Sequence, residues 1–164
     1  MALSARDAGL RDEAFILALN NASTPGVAEM DAQDLADIRG WACAMRLVEL
    51  DGKPAGFIVL IPPMTLYPSL NYAWFEGRFE RHLYVDRVAV DRASWGKGVG
   101  RALYLDAMQL AGRLGLERLT AEVNDQPPNP ESHAFHRALG FRHLKSRPWK
   151  DKVVSMYERP LDPA

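Results

Sequence analysis

The pattern of hydrophobic and polar positions changes its period within one central stretch of the chain. β-Branched residues dominate Tyr84–Val90, which predicts a strand. A short segment with three glycines, Trp95–Gly100, follows, and apolar residues then recur at helical spacing from Arg101 onward. The stretch therefore predicts a strand, a glycine-bearing loop and the beginning of a helix, in that order.

The residues before this stretch predict two helices and a hairpin. The predicted elements are a short edge strand at Leu3–Ala5, helices at Asp12–Asn21 and Asp31–Trp41, and strands at Met45–Leu50 and Gly56–Ile61. The turn dipeptide Asp51-Gly52 lies between the two strands and predicts that they form a hairpin.

Residues 64–82 contain many aromatic side chains among turn-forming residues, and we interpret them as a packed loop. The rings either form a wall of a substrate pocket or simply cover the core, and the sequence leaves both alternatives open. The candidate substrate-binding residues are Tyr72 and Trp74 in this loop and Tyr84 in the next strand.

The remaining elements alternate between helix and strand. They are a helix from Arg101 to Leu114, a strand at Leu119–Val123, a loop at Asn124–Pro130, a helix at Glu131–Leu139 and a strand at Val153–Tyr157. This order predicts an α/β or α+β fold built on one mixed sheet. At 164 residues, the chain predicts a single domain over residues 1–164.

Composition and charge exclude several classes of protein. A formal net charge of −1 gives no electrostatic reason to expect a nucleic acid or an anionic membrane as a partner. Cys43 is the single cysteine, so an internal disulfide is impossible. No apolar run approaches the roughly 20 residues that span a bilayer, and the N-terminus lacks the pattern of a signal peptide. We therefore expect a cytoplasmic domain.

The glycine-bearing loop is the strongest candidate for ligand binding. Gly96, Gly98 and Gly100 let backbone N–H groups approach an anion, and the first turn of the following helix leaves its donors unpaired. Two other nucleotide-binding patterns do not fit. Leu103 occupies the third glycine position of the Rossmann fingerprint, and no Gly-Lys-Ser/Thr follows as in a P-loop.

Two motifs together resemble the GNAT N-acetyltransferase superfamily, over roughly residues 44–158. The family's loop reads Gln or Arg, two residues, Gly, one residue, then Gly or Ala. Gly98 and Gly100 match this loop, whereas Trp95 replaces the Gln or Arg. The second motif is an asparagine, a helix and a Gly-Phe pair, which Asn129 and Gly140-Phe141 supply.

The resemblance implies a mixed, mostly antiparallel sheet of six or seven strands flanked by about four helices. It also implies acetyl-CoA as co-substrate, no metal ion, and an acceptor amine on a small molecule, an amino acid, a peptide or a protein. A homodimer is common among such enzymes.

The resemblance further implies which residues bind the cofactor. The strand backbone would pair with the pantetheine arm, and the amides and positive charges of the loop would hold the pyrophosphate. The implied cofactor-binding residues are Val88, Ala89, Val90, Trp95, Gly96, Lys97, Gly98, Val99, Gly100, Arg101 and Asn129. Asn129 has the alternative role of a helix N-cap before Pro130.

His136 is the candidate catalytic acid. It stands four residues before the Gly-Phe pair, where the family often has a tyrosine. As imidazolium it would protonate the thiolate of departing CoA, and as a neutral N–H donor it would hydrogen-bond that thiolate. The alternative is a histidine that only packs between apolar neighbours.

Asp86 is the candidate general base. Strand alternation places Asp86 on one face with Tyr84 and places Arg87 on the other face. A carboxylate there would remove a proton from the acceptor amine, directly or through water. The alternative is an ion pair with a neighbouring arginine, and Glu122 and Glu80 are weaker candidates for the base.

We therefore predict an N-acetyltransferase that moves an acetyl group directly from acetyl-CoA to an amine. The alternative function is a non-catalytic acyl-CoA-binding or sensing module, because Trp95 and His136 both depart from the family's pattern.

Overall fold

The computed structural model describes residues 1–162, in which seven strands form one sheet and five α-helices flank it. The strands are β1 (Leu3–Asp7), β2 (Ala44–Leu50), β3 (Lys53–Ile61), β4 (His82–Val90), β5 (Arg118–Gln126), β6 (Arg142–Trp149) and β7 (Lys152–Pro160). The helices are α1 (Glu13–Ala22), α2 (Ala32–Trp41), α3 (Leu70–Glu76), α4 (Val99–Arg113) and α5 (Pro130–Ala138).

The strands lie in the order β1-β2-β3-β4-β5-β7-β6, with β1 and β6 at the edges. Neighbouring strands are antiparallel except β4 and β5, which run parallel. The predicted mixed, mostly antiparallel sheet is therefore confirmed. The described chain has the larger of the two expected strand numbers, and five α-helices where about four were expected.

Two elements were not predicted from the sequence. The interpretation of residues 64–82 as a loop is wrong in part, because they contain α3, whose N-cap Ser69 accepts a hydrogen bond from the backbone N–H of Tyr72 at 3.2 Å. The edge strand β6 has mostly exposed side chains and no apolar alternation. Its sequence therefore carries little of the periodicity that identifies a strand.

Alternate side chains of β3 separate the molecule into two layers of core. Ile58 and Leu60 face the layer that contains α4 and α5, whereas Phe57 and Val59 face the layer that contains α1, α2 and α3. All four side chains are fully buried. In residues 1–162, no helix is both long enough and apolar enough to cross a membrane.

Helix α4 lies unusually close to β3, and Gly56 makes this possible. A Cβ atom at Gly56 would lie 2.9 Å from the carbonyl oxygen of Ala89, 3.0 Å from Val99 Cγ1 and 3.1 Å from Leu103 Cδ1. Glycine at this position therefore lets the first turns of α4 pack directly against β3.

We expect Gly56→Ala to lower the free energy of unfolding by about 1–3 kcal/mol, because the added methyl group displaces α4 or the strand. Gly112→Ala, which changes a glycine of α4, is the matched control, since nothing lies within 4 Å of the added methyl. Alanine at that helical position should raise stability by about 0.5–1 kcal/mol. Urea denaturation measures both changes, and equal effects of the two variants would contradict the close packing at Gly56.

Candidate active site

The sheet opens in the middle, where the parallel strands β4 and β5 separate. Within the described chain they pair only over His82–Tyr84 and Arg118–Thr120. Beyond these pairs β4 remains bonded to β3 and β5 remains bonded to β7, so a cleft forms between Val85–Val90 and Ala121–Gln126. Cavities of about 480 and about 980 Å³ occupy this cleft, and Val88, Ala89 and Val90 line both of them.

A β-bulge lies at the point where the cleft begins. Leu60 of β3 pairs with Val85 and Val59 pairs with Arg87, which leaves Asp86 as the extra residue of β4. The bulge brings Asp86 and Arg87 together, and Arg87 Nε donates a hydrogen bond to Asp86 Oδ2 at 2.7 Å. The prediction that these side chains lie on opposite faces is therefore wrong, because strand alternation fails at a bulge.

The carboxylate of Asp86 has a partner on each oxygen. Arg87 binds one oxygen, and the phenol of Tyr67 donates to the other. Both members of the Asp86–Arg87 ion pair are largely buried. The guanidinium also donates to Asn20 Oδ1 and to the carbonyl oxygen of Ala28, each at 3.2 Å. Asp86 is thus part of a contact that attaches the segment between α1 and α2 to β4.

The segment between α1 and α2 is attached to the other side of the cleft as well. The carbonyl oxygen of Pro25 accepts hydrogen bonds from Asn124 Nδ2 of β5 at 3.0 Å and from Lys152 Nζ of β7 at 3.3 Å. Gly26 of this segment lines both cavities. The segment therefore lies across the cleft and is bonded to both of its walls.

Glu122 of β5 lines the smaller cavity, as Asp86 does. Tyr84 Oη lies 2.7 and 2.8 Å from its two oxygens and donates to them, and Asn71 Nδ2 donates at 3.4 Å. Burial raises the pKa of Glu122 to about 7; the nearby charge of Asp86 adds to this rise, and the bonds from Tyr84 and Asn71 oppose it. Glu122 can therefore exchange a proton near neutral pH.

Sequence reasoning placed Glu122 below Asp86 as a candidate, although one signal distinguished it. The available signal was a charged residue inside the apolar strand segment Leu119–Val123, which is a costly position unless the charge is used or neutralised. The phenol of Tyr84, predicted to bind substrate, is 1% exposed and is engaged with Glu122. The structure thus brings Tyr84 to the carboxylate that the sequence analysis considered weaker.

His136 lies on α5, touches both cavities and is 4% exposed. Its Nδ1 lies 2.7 Å from the carbonyl oxygen of Ser132, to which it donates, and its Nε2 accepts from the phenol of Tyr104 at 2.6 Å. Burial lowers the pKa of His136 to about 4. The ring is therefore neutral at neutral pH with both nitrogens engaged, and the imidazolium considered from the sequence is not its resting form.

The glycine-bearing loop forms an open helix N-terminus. Gly98 adopts a φ of +83° as the residue before α4, a conformation that side chains disfavour, and glycine has no side chain with which to cap the helix. The first N–H groups of α4 belong to Val99–Arg101 and have no intrahelical acceptors. The side chains of Lys97 and Arg101 are exposed nearby. This end of the cleft can bind an anion.

Trp95 and Asn129 border the same cleft. Both residues line both cavities. Asn129 is the N-cap of α5, since its Oδ1 accepts from the backbone N–H of Ser132 at 3.4 Å and Pro130 opens the helix. The helix-capping alternative for Asn129 is therefore present in the structure, and its position on the cavity wall is compatible with a cofactor contact.

The structure does not bring Tyr72 and Trp74 to the cleft. Tyr72 is 1% exposed and donates to the carbonyl oxygen of Pro62 at 2.6 Å, whereas Trp74 packs against the guanidinium groups of Arg78 and Arg147. Because α3 is helical, each successive side chain points about 100° away from the last. The smaller cavity is instead lined, among others, by Tyr67, Pro68, Ser69, Asn71, Trp149 and Lys152.

Comparison with known proteins finds a family model that matches the chain and solved structures that share its fold. The model of the acetyltransferase (GNAT) family matches residues 13–141 of the chain. No curated protein sequence matches the chain.

Solved structures of low sequence identity share the whole fold. Ard1 from Thermoplasma volcanium has a TM-score of 0.81 at 17% identity, with 99% of this chain and 100% of that chain covered. The ribosomal-protein-S18-alanine N-acetyltransferase from Escherichia coli has a TM-score of 0.75 at 18% identity, with coverage of 99% and 96%. The structure of yncA from Salmonella typhimurium with its cofactor acetyl-CoA has a TM-score of 0.74 at 19% identity, with coverage of 100% and 96%.

Glu122 makes the stability of the fold depend on pH. Its pKa is about 7 in the folded protein against an ordinary value of 4.5, so between these pH values the folded state keeps a proton that the unfolded chain has released. Ionisation of Glu122 therefore opposes folding as the pH rises from about 4.5 to about 7, and this effect is complete above that range.

We expect Glu122→Gln to match the wild type in stability at about pH 4 and to exceed it at about pH 8, because the amide has no charge to bury. A series of urea denaturations across this pH range measures the difference. Glu80→Gln, which changes an exposed carboxylate, is the control and should show no such trend. A Glu122→Gln effect that is the same at every pH would contradict the raised pKa.

Proposed function

The chain belongs to the GNAT acetyltransferase family, and we propose that it transfers an acetyl group from acetyl-CoA directly to the amine of a small molecule, an amino acid, a peptide or a protein. One observation carries the proposal. The cleft between β4 and β5 has a carboxylate with a pKa of about 7 on one wall and an open helix N-terminus beside it. We assign the activity to residues 1–164 acting as one domain in the cytoplasm, which suits its single cysteine.

The residues of the cleft fit acetyl-CoA. The N–H groups of Val99–Arg101 and the charges of Lys97 and Arg101 are suited to the pyrophosphate, since charge-assisted hydrogen bonds to phosphate are strong. The backbone of Val88–Val90 has no β5 strand beside it and can pair with an extended arm, through groups other than the Val90 carbonyl oxygen that accepts from Trp95 Nε1. When bound, acetyl-CoA supplies the acetyl group as a thioester whose carbonyl carbon is open to a nucleophile. The neighbour yncA, solved with its cofactor acetyl-CoA, supports this assignment.

Glu122 is better suited than Asp86 to act as the general base. The two oxygens of Asp86 are occupied by the Tyr67 phenol and the Arg87 guanidinium, so neither is free to accept a proton from an amine without breaking a contact. Glu122 has uncharged partners, faces the cavity and has a pKa of about 7. A base is most effective when its pKa lies near the operating pH, which Glu122 satisfies.

The proposed chemistry begins with the acceptor as an ammonium ion, its usual form at neutral pH. The Glu122 carboxylate takes one proton from the ammonium, directly or through a water molecule, and the nitrogen gains the lone pair that forms the new bond to carbon. The carboxyl group that results is neutral, which its buried position favours. As the C–N bond forms and the C–S bond breaks, the nitrogen releases a second proton to water, and Glu122 then returns its own proton to water and is ready for the next cycle. The E. coli neighbour is named for N-acetylation of an alanine of a ribosomal protein, which supports an amine acceptor.

His136 contributes as a neutral group in this proposal. Its Nδ1–H is held by the carbonyl oxygen of Ser132, and its Nε2 receives the proton of Tyr104. The imidazole and the phenol of Tyr104 together form an ordered wall of the cleft beside Val88. The departing sulfur therefore leaves as a thiolate, with water as the eventual proton source.

We expect Glu122→Gln to lower kcat/KM for an accepted amine by at least about 100-fold, because a positioned base contributes about 10²–10⁴-fold. The wild-type profile should rise with pH through an apparent pKa near 7, and this limb should be absent from the variant, leaving only the titration of the amine itself at higher pH. Thioester consumption across a panel of amines, followed over a pH series, makes the measurement.

Glu80→Gln should retain the wild-type rate and the wild-type limb, because its carboxylate is exposed and lines neither cavity. Calorimetry with acetyl-CoA on the Glu122→Gln protein should show binding within about twofold of the wild type. Tight binding of acetyl-CoA with no turnover on any amine would sink the enzyme assignment and favour an acyl-CoA-binding or sensing module. An unchanged pH profile in Glu122→Gln would remove Glu122 as the base.

A further inference from the structure

Trp95 is exposed, yet its side chain contacts two other residues of the protein. The side chain is 55% exposed, yet its Nε1–H donates to the carbonyl oxygen of Val90 at 3.0 Å. The guanidinium of Arg92 lies 5.1 Å from the centre of the indole ring. Trp95 is therefore fixed at its edge by a strand carbonyl and contacted on its ring by an arginine.

The Val90 carbonyl is one that the sheet leaves without a strand partner. Val90 stands opposite Gly56 of β3, and the backbone N–H of the next residue, Asp91, donates to the carbonyl oxygen of Ala55 at 2.8 Å. Because successive residues of a strand direct their polar groups to opposite sides, the polar groups of Val90 point away from β3 and into the cleft. The indole of Trp95 supplies the donor that β5 would have given in a continuous sheet.

The same side chain joins the two halves of the proposed cofactor site. Trp95 directly precedes the segment with Gly96, Gly98 and Gly100, whose backbone has more conformational freedom than that of other residues. A loop of this kind loses entropy when it is ordered around an anion. The hydrogen bond from Trp95 to Val90 ties the beginning of that loop to β4, so part of this ordering is present before any ligand arrives.

We propose that Trp95 is a positioning residue: its indole N–H holds the anion-binding segment 96–101 against β4 in the unliganded protein, and this pre-ordering strengthens the binding of the cofactor. The inference rests on the proposed use of acetyl-CoA. It assigns the role to the hydrogen-bond donor rather than to the aromatic ring.

Two substitutions separate the donor from the ring. Trp95→Phe keeps an aromatic ring beside Arg92 and removes the donor, whereas Trp95→Gln removes the ring and keeps an N–H donor at a similar reach. We expect Trp95→Phe to weaken coenzyme A binding by about two- to tenfold in titration calorimetry, the range for one lost hydrogen bond, and Trp95→Gln to stay within about twofold of the wild type. Leu114→Ala, an exposed apolar residue at the far end of α4, is the control and should bind as the wild type does.

Hydrogen exchange of the unliganded proteins gives a second readout. The amides of residues 96–101 should exchange faster in Trp95→Phe than in the wild type and at the wild-type rate in Trp95→Gln, with unchanged exchange in the strands. Tight binding by Trp95→Phe together with weak binding by Trp95→Gln would assign the role to the ring and overturn the proposal. Equal exchange in all three proteins would overturn it as well. A wild-type protein that binds no coenzyme A would overturn the proposed function instead, and the exchange comparison would still decide whether Trp95 orders the loop.

Discussion

The separation of β4 from β5 is the constraint on which the rest of the site depends. Two strands of one sheet that part after three residue pairs leave backbone polar groups facing each other across a gap, and such groups are costly when they are buried without partners. β4 remains hydrogen-bonded to β3 and β5 remains hydrogen-bonded to β7, so the sheet stays intact on both sides of the cleft. The inner edges of β4 and β5 therefore carry donors and acceptors that have no partner in a neighbouring strand. An indole at Val90 and the segment held through the Pro25 carbonyl satisfy or cover part of this edge.

The bulge at Asp86 gives two nearby carboxylates different surroundings. In a regular strand, adjacent side chains point to opposite faces, and the Arg87 guanidinium would lie on the far side of the sheet. The extra residue places Arg87 beside Asp86, where it compensates the charge that the cleft would otherwise bury. Burial raises the pKa of Glu122 to about 7, and its described hydrogen-bond donors, Tyr84 and Asn71, carry no charge that would pair with the carboxylate. The backbone irregularity thus pairs one of the two acidic residues with an arginine, whereas the other has no cation among its described partners.

Runs and periods of apolar residues predicted most of the fold, because burial in the core requires apolar side chains. The segments Tyr84–Val90 and Gly56–Ile61 are examples, and both fall within observed strands. The loop with Gly98 and Gly100 could likewise be identified, since positive φ and an open helix end require local residue types. The bulge could not, because no residue of Tyr84–Val90 marks it in the sequence and the register depends on β3. The pairing of Tyr84 with Glu122 was equally hidden, since those residues lie 38 positions apart and meet only when the strands align.

The causes of the raised pKa of Glu122 indicate that its surroundings differ in charge from the helix N-terminus of the same cleft. An open helix N-terminus and the cations Lys97 and Arg101 favour negative charge nearby, and they would lower the pKa of any carboxylate within their reach. The groups that act on Glu122 are instead its own burial, Asp86, Tyr84 and Asn71. Lys97 and Arg101 are exposed, and neither is among the groups that shift the pKa of Glu122. The cations beside the helix N-terminus and the raised pKa of Glu122 can therefore exist together in one cleft, and a ligand with phosphates at one end and a reactive group at the other would meet two different environments.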